Sequence, residues 1–178
     1  MRAPGPPYDA VMDVETAIRS TRSIRRFTDD PIPDDDLRAI LDAGRRAQSS
    51  MNGQPWRFVV VRDRATLEAL AGCGRYAGHL AGAAVGIVLV GTGPDADMDL
   101  GQALAYLQLA AHARGYGACI ASMWEPGRAK AILGIPAELT CHTALSVGRP
   151  APGELVPRPP KPDGRLPLDE IVRWERWG

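Results

Sequence analysis

The sequence predicts one domain in which helices and strands share a core. Three observations carry this. The chain has 178 residues, which fits a single domain large enough to bury a core without disulfides or metals. Ala83 to Val90 is a continuous apolar run with the length of a central strand buried on both faces. Asp97 to Arg114 repeats Leu100, Leu104, Leu107 and Ala111 at helical spacing, and Ala103, Leu109 and Ala110 widen that face. It therefore predicts a helix buried nearly all round.

The other elements follow in order. Residues 1–12, with Pro4, Pro6 and Pro7, predict a flexible arm, and the domain proper is expected over 13–178. A helix at about 13–21 opens with Asp13 and Glu15. Asp34, Asp35 and Asp36 suit the first turn of a second helix, where the macrodipole favours negative charge, and Leu37, Ile40, Leu41 and Gly44 give its stripe. Gln48 to Trp56 is small, polar and turn-rich, so it reads as a loop. Arg57 to Val61 is a short β-rich run. Asp63 caps a helix that carries Leu67 and Leu70. Residues 73–82 are interrupted by glycines and fit no period. After the long helix, Gly115 marks its end. Strands are expected at 116–122 and 143–147, a short helix between them at 125–133, and a last short strand at 171–174. Residues 150–167 hold seven of the 16 prolines, which predicts an extended tail.

Hydrophobic residues make up 45% and charged residues 24% of the chain, with formal net charge zero. This describes a soluble globular protein and argues against nucleic acid or an anionic membrane as the main partner. No stretch of 18 apolar residues or secretory leader is present, so the expected location is cytoplasmic. Cys73, Cys119 and Cys141 are widely spaced and form no CxxC pair, consistent with free thiols in a reducing compartment. His79, His112 and His142 lack metal-ligand spacing, so no metal site is expected and all three are read as structural.

Chemistry concentrates in Thr21-Arg22-Ser23-Ile24-Arg25-Arg26-Phe27. Guanidinium groups beside a serine hydroxyl and free backbone N–H groups are the ingredients of a phosphate site. The competing reading leaves these arginines solvated or pairs them with Asp29, Asp30 and Asp34 to Asp36. The sequence leaves both open.

Five stretches in order resemble the nitroreductase-like family of flavoproteins. They are Arg22 to Phe27 followed by Pro31; Ser49 to Val61; Leu109 to Gly117; Val147-Gly148-Arg149-Pro150; and Arg165 to Val172. The resemblance implies an α+β sandwich, with a mixed, mainly antiparallel sheet flanked by helices. It also implies an obligate homodimer with two FMN sites at the interface. On that pattern Arg22, Ser23, Arg25 and Arg165 hold the FMN phosphate. Ser49, Ser50 and Asn52 approach from the other subunit, and Asn52 and Gln54 offer amide partners to the pyrimidine edge. Ser122 lies near the ring. NADPH or NADH is the reductant, and the acceptor is a small molecule such as a nitroaromatic, a quinone or an activated alkene. No side-chain nucleophile is required, because the flavin carries the chemistry. A flavin- or deazaflavin-binding protein without nitroreductase turnover, or a relative with other flavin chemistry, is the alternative.

Two departures matter. Gln48 stands where the family usually has proline, and the segment between the 85–90 strand and the Asp97 helix is short, which leaves little cover over a flavin. Trp56 is expected in the core. Trp124 either lines the flavin pocket or does not. Trp174 and Trp177 are expected at a dimer seam or at the terminus.

Overall fold

The computed structural model describes residues 12–93, 96–155 and 164–177. The expected arm lies outside the described residues except for Met12, as does much of the proline-rich segment. The helices are α1 (Val14–Ser20), α2 (Asp34–Arg45), α3 (Arg64–Ala71), α4 (Ala96–Ala113), α5 (Pro126–Leu133) and α6 (Leu168–Ile171). The strands are β1 (Trp56–Val61), β2 (Val85–Gly91), β3 (Gly117–Ser122) and β4 (Thr140–Gly148). The sheet order is β1-β2-β4-β3, and every named pair is antiparallel. The one parallel contact among the described residues is an isolated bridge from Ser23 to Ala118, at the free edge of β3.

Helices cover both faces, so this is an α+β sandwich. One core sits between the sheet and α2 and α4. It is built from Ile40, Ile87, Leu107 and Leu145, all sealed from solvent. The other lies beneath α3 and α5, around Leu67, Leu70, Leu80, Val88 and Ala144. β2 is buried along its whole length, because it is central and its side chains feed both cores. Removing one such leucine side chain typically costs 2–5 kcal/mol. Asp13 and Asp63 cap α1 and α3 by accepting the backbone N–H of Thr16 and Thr66 at 2.9 and 2.8 Å.

Three expectations are corrected. Residues 171–174 do not form a strand: α6 is a single helical turn after Pro167, with Asp169 and Glu170 in its first turn, where acidic groups favour helix. α4 is not buried all round. Met98, Gly101 and Ala105 line up on one exposed stripe, because α4 has the sheet and α2 on one side only. β4 begins at Thr140, before the expected 143, since its first residues alternate in burial and carry polar side chains. Trp56 is in the core, packed with Ala47 and Ala103.

No helix among the described residues is long and apolar enough to cross a membrane. No group of three or more His, Cys, Asp or Glu residues among them is placed to hold a metal ion.

Candidate cofactor site

The Arg22–Phe27 segment runs along the outer edge of β3. The Ile24 amide donates to the Ala118 carbonyl at 3.0 Å, and Gly117 permits this approach, since a Cβ there would stand 2.6 Å from the Ile24 side chain. On its other side the segment is tied to residues 149–154. Thr28 N–H donates to the Arg149 carbonyl at 2.9 Å and Ala151 N–H to the Arg26 carbonyl at 3.0 Å. Arg26 Nε bonds Glu154 Oε1 at 2.8 Å, and Arg25 N–H approaches Glu154 Oε2 at 3.4 Å. Glu154 is only 4% exposed. It is the residue sequence reasoning missed, because nothing in a proline-rich stretch marks one carboxylate as an anchor.

Extended backbone sends alternate side chains to opposite sides. Ser23 and Arg25 face the buried Cys119 thiol. Burial pushes that thiol up from its usual value, while the Arg25 charge and contacts from Ser23 and Arg25 pull it down. Arg22 and Ile24 point the other way, into a cavity of about 370 Å³ shared with Ser20, His112, Tyr116 and Leu155. That cavity is mostly apolar and contains only Arg22 among the candidate residues.

The pairing of these arginines with the aspartates is not seen among the described residues, while Arg22 and Arg25 are both exposed, as the solvated reading expects. Asp34 pairs with Arg62 at 2.7 Å, and Asp36 accepts from the Tyr116 hydroxyl at 2.5 Å. Neither the Arg22 nor the Arg25 guanidinium pairs with a carboxylate among the described residues. Arg25 is therefore an exposed guanidinium on a segment held by backbone bonds on both sides.

The Ser49–Pro55 loop has a different character. Met51, Asn52 and Gln54 all lie in the left-handed region, with φ of 48°, 55° and 48°. Such angles are uncommon for non-glycine residues and collect at functional sites. Ser49 Oγ accepts the Gln54 amide at 3.0 Å, and Gln54 Nε2 donates to the Asn52 carbonyl at 3.3 Å. Ser50, Asn52 and Gln54 are exposed, and Met51 is 99% exposed.

Strand order separates these two groups. The loop feeds β1, while Ser23 and Arg25 follow β3, at the opposite edge of the sheet. Three strand spacings amount to about 14 Å, so a single chain does not bring the loop to the arginines. Ser122 is exposed at the end of β3. Arg165 is exposed in the segment before α6 and makes no hydrogen bond or ion pair among the described residues.

A model described as the nitroreductase family matches residues 18–84 and 73–149. The chain belongs to the nitroreductase family. The chain is 33% identical over 204 aligned residues to a Thermus thermophilus protein named NADH dehydrogenase, covering 92% of the chain and 97% of that relative. Its fold is that of a solved FMN-dependent nitroreductase from Clostridium difficile R20291, with TM-score 0.77, 22% identity, and 90% and 98% of the two chains covered. Nitroreductase A from Vibrio parahaemolyticus superposes with TM-score 0.80 at 24% identity, covering 92% of this chain and 76% of its own. The family and its relatives identify an oxidoreductase.

Proposed function

We propose that the protein is an FMN-dependent oxidoreductase, working as a cytoplasmic homodimer, that takes hydride from NADH or NADPH and reduces a nitroaromatic, quinone or activated alkene. The observation that carries this is Arg25 and Ser23, fixed against β3 with no carboxylate on the guanidinium. A phosphate dianion needs a cation and hydroxyl or amide donors, and this donor set supplies both. FMN, when bound, supplies the two-electron acceptance and release. The chain's own residues bind and orient. Ser23 and Arg25 hold the phosphate, with Arg22 and Arg165 as further candidates for it. Asn52 and Gln54 offer amides to the pyrimidine edge, and the Ser122 end of β3 faces the ring. For a quinone acceptor the balance is NAD(P)H, a solvent proton and quinone giving NAD(P)⁺ and hydroquinone.

The homodimer is supported by the strand order, which leaves Ser49, Ser50 and Asn52 at the wrong edge of their own sheet. It is also supported by exposed apolar surface. Leu166, Leu168, Ile171, Trp174 and Trp177 are all at least 59% exposed, and the hydrogen bonds of their segment among the described residues are local. A second copy that covers this tail also brings a second Ser49–Gln54 loop. The relatives described above, one named for NADH and one for FMN, agree with the cofactor and reductant.

The test is a visible spectrum of the purified protein, followed by extraction and chromatography of the flavin and anaerobic titration with NADH and NADPH. FMN that bleaches on reductant and recovers colour with a quinone is expected. FAD as the main species, or no flavin, overturns the proposal. Bound FMN that never bleaches would leave a binding protein without turnover.

A further inference from the structure

Between α3 and β2 the chain makes a tight turn, Gly74–Ala77, closed by Ala77 N–H donating to the Gly74 carbonyl at 3.1 Å. Both flanks are anchored in the second core, because Cys73 and Ala77 are fully buried. The turn is pressed onto the end of β3. A Cβ on Gly74 would stand 2.3 Å from the Ser122 carbonyl oxygen, and the Cys73 carbonyl accepts the Glu125 amide at 3.0 Å. The tip, Arg75 and Tyr76, is thus held rigidly beside Ser122 and Trp124. Tyr76 is 73% exposed and Trp124 63%.

The charges around this tip are unequal. Arg128 is engaged, bonding the Gly72 carbonyl at 3.1 Å and lying 3.7 Å from Glu125. Arg75 meets no carboxylate among the described residues, and its guanidinium rests 5.5 Å from the Tyr76 ring centroid. Two exposed aromatic rings and one uncommitted cation, on backbone that cannot easily yield, form a recognition surface. Aromatic faces stack planar π-systems, and a guanidinium selects a carboxylate or a similar planar anion.

We infer that Arg75, Tyr76 and Trp124 form the acceptor-selecting wall of the site, and that the favoured acceptor is a planar aromatic carrying a negative charge. This rests on the functional reading above, in which Ser122 lies at the reacting ring. The short connection between β2 and α4 offers little cover there, so the Gly74–Ala77 turn takes that place.

The probes are 4-nitrobenzoate and its neutral near-isostere 4-nitrobenzamide, with flavin content measured first in every variant. For wild type, Arg75→Gln, Tyr76→Ala and Trp124→Ala, two quantities are read: kcat/KM for each probe, and direct binding of each probe to the flavin-loaded protein by equilibrium dialysis. Comparing each variant with wild type cancels the intrinsic difference in reducibility between the probes. Arg75→Gln is expected to lose about fivefold on the benzoate, as befits an exposed charge pair, and to leave the benzamide unchanged. The two aromatic truncations are expected to weaken both probes by roughly 2- to 10-fold. Equal effects of Arg75→Gln on both probes, or no effect on either, overturn the inference while the flavin content still upholds the functional reading. Absence of flavin in wild type overturns that reading, and this inference with it.

Discussion

The His79 imidazole and the Ser146 hydroxyl lie 2.7 Å apart behind β3, with His79 9% exposed and Ser146 fully buried. Ser146 donates to the Cys119 carbonyl at 3.2 Å, so it accepts from Nδ1–H of the ring. The pair ties the turn after α3 to β4 and to the strand that Ser23 and Arg25 face. Burial pushes the His79 pKa below its usual 6.5, the Arg25 charge lowers it further, and the Ile120 carbonyl opposes both.

His112 is similarly lowered by burial alone, and its Nε2 is 2.7 Å from the Ser20 hydroxyl. In both cases the fold prefers the neutral ring, so between the folded and unfolded pKa values the unfolded chain binds more protons. Stability is therefore complete above about pH 6.5 and falls as pH drops from 6.5 toward the lower folded values, by at most about 1.4 kcal/mol per pH unit for each group. Urea unfolding of wild type and of His79→Gln across pH 5 to 8 checks this. A smaller slope in the variant is expected, and an unchanged slope refutes the assignment.

Arg25→Ala should weaken FMN binding by about 10- to 150-fold, the value of one charge-assisted hydrogen bond to phosphate. Arg22→Ala, whose side chain turns to the opposite cavity, should weaken it less. Turnover at saturating FMN should fall much less than affinity in either case. Fluorescence titration with FMN, run beside steady-state kinetics, separates these effects. A larger loss in Arg22→Ala would place the phosphate in the cavity.

Gly74→Ala places a methyl group inside the Ser122 carbonyl contact. Overpacking of this kind typically costs 1–3 kcal/mol, so chemical denaturation should show a clear loss. The proposed reductase activity, assayed with a quinone, should fall with it, since the turn can no longer seat on β3. Ala at Gly78, where nothing stands within 4 Å of an added Cβ, is the control expected to leave both unchanged.

A chain ending before Gly164 should not form the proposed homodimer. It would lack Leu166, Leu168, Ile171, Trp174 and Trp177, an apolar surface exposed among the described residues. Light scattering at micromolar concentration should report a dimer for the full chain and a monomer for the truncated one. A stable monomer of the full chain with flavin bound would refute the shared site.

Periodicity made the framework legible. Leu100, Leu104 and Leu107 marked α4, the run to Val90 marked β2, and Asp63 marked the start of α3, because each rests on local spacing or a local cap. α6 was misread because Ile171-Val172 looks like strand, while the acidic turn after Pro167 decides for helix. The arginines and serine of the Arg22–Phe27 segment were legible as candidate phosphate donors only by residue type. The side to which each points was not, since alternation became assignable only once Ser23 was seen bridging Ala118. Glu154, the His79–Ser146 pair and the contact of Gly74 with Ser122 depend on distant partners, and no local pattern announces them.

The anchoring of the Arg22–Phe27 segment also bears on the order of folding. Its bond from Arg26 to Glu154 joins residues 128 apart in sequence, and its bridge to Ala118 needs β3 already in place. Contacts of such long separation cost more loop entropy before they are rewarded. The segment is therefore expected to dock among the last. The chain then places Arg22 and Arg25, the candidate phosphate donors, only after the sheet has formed, and until then their segment has no edge to bridge to.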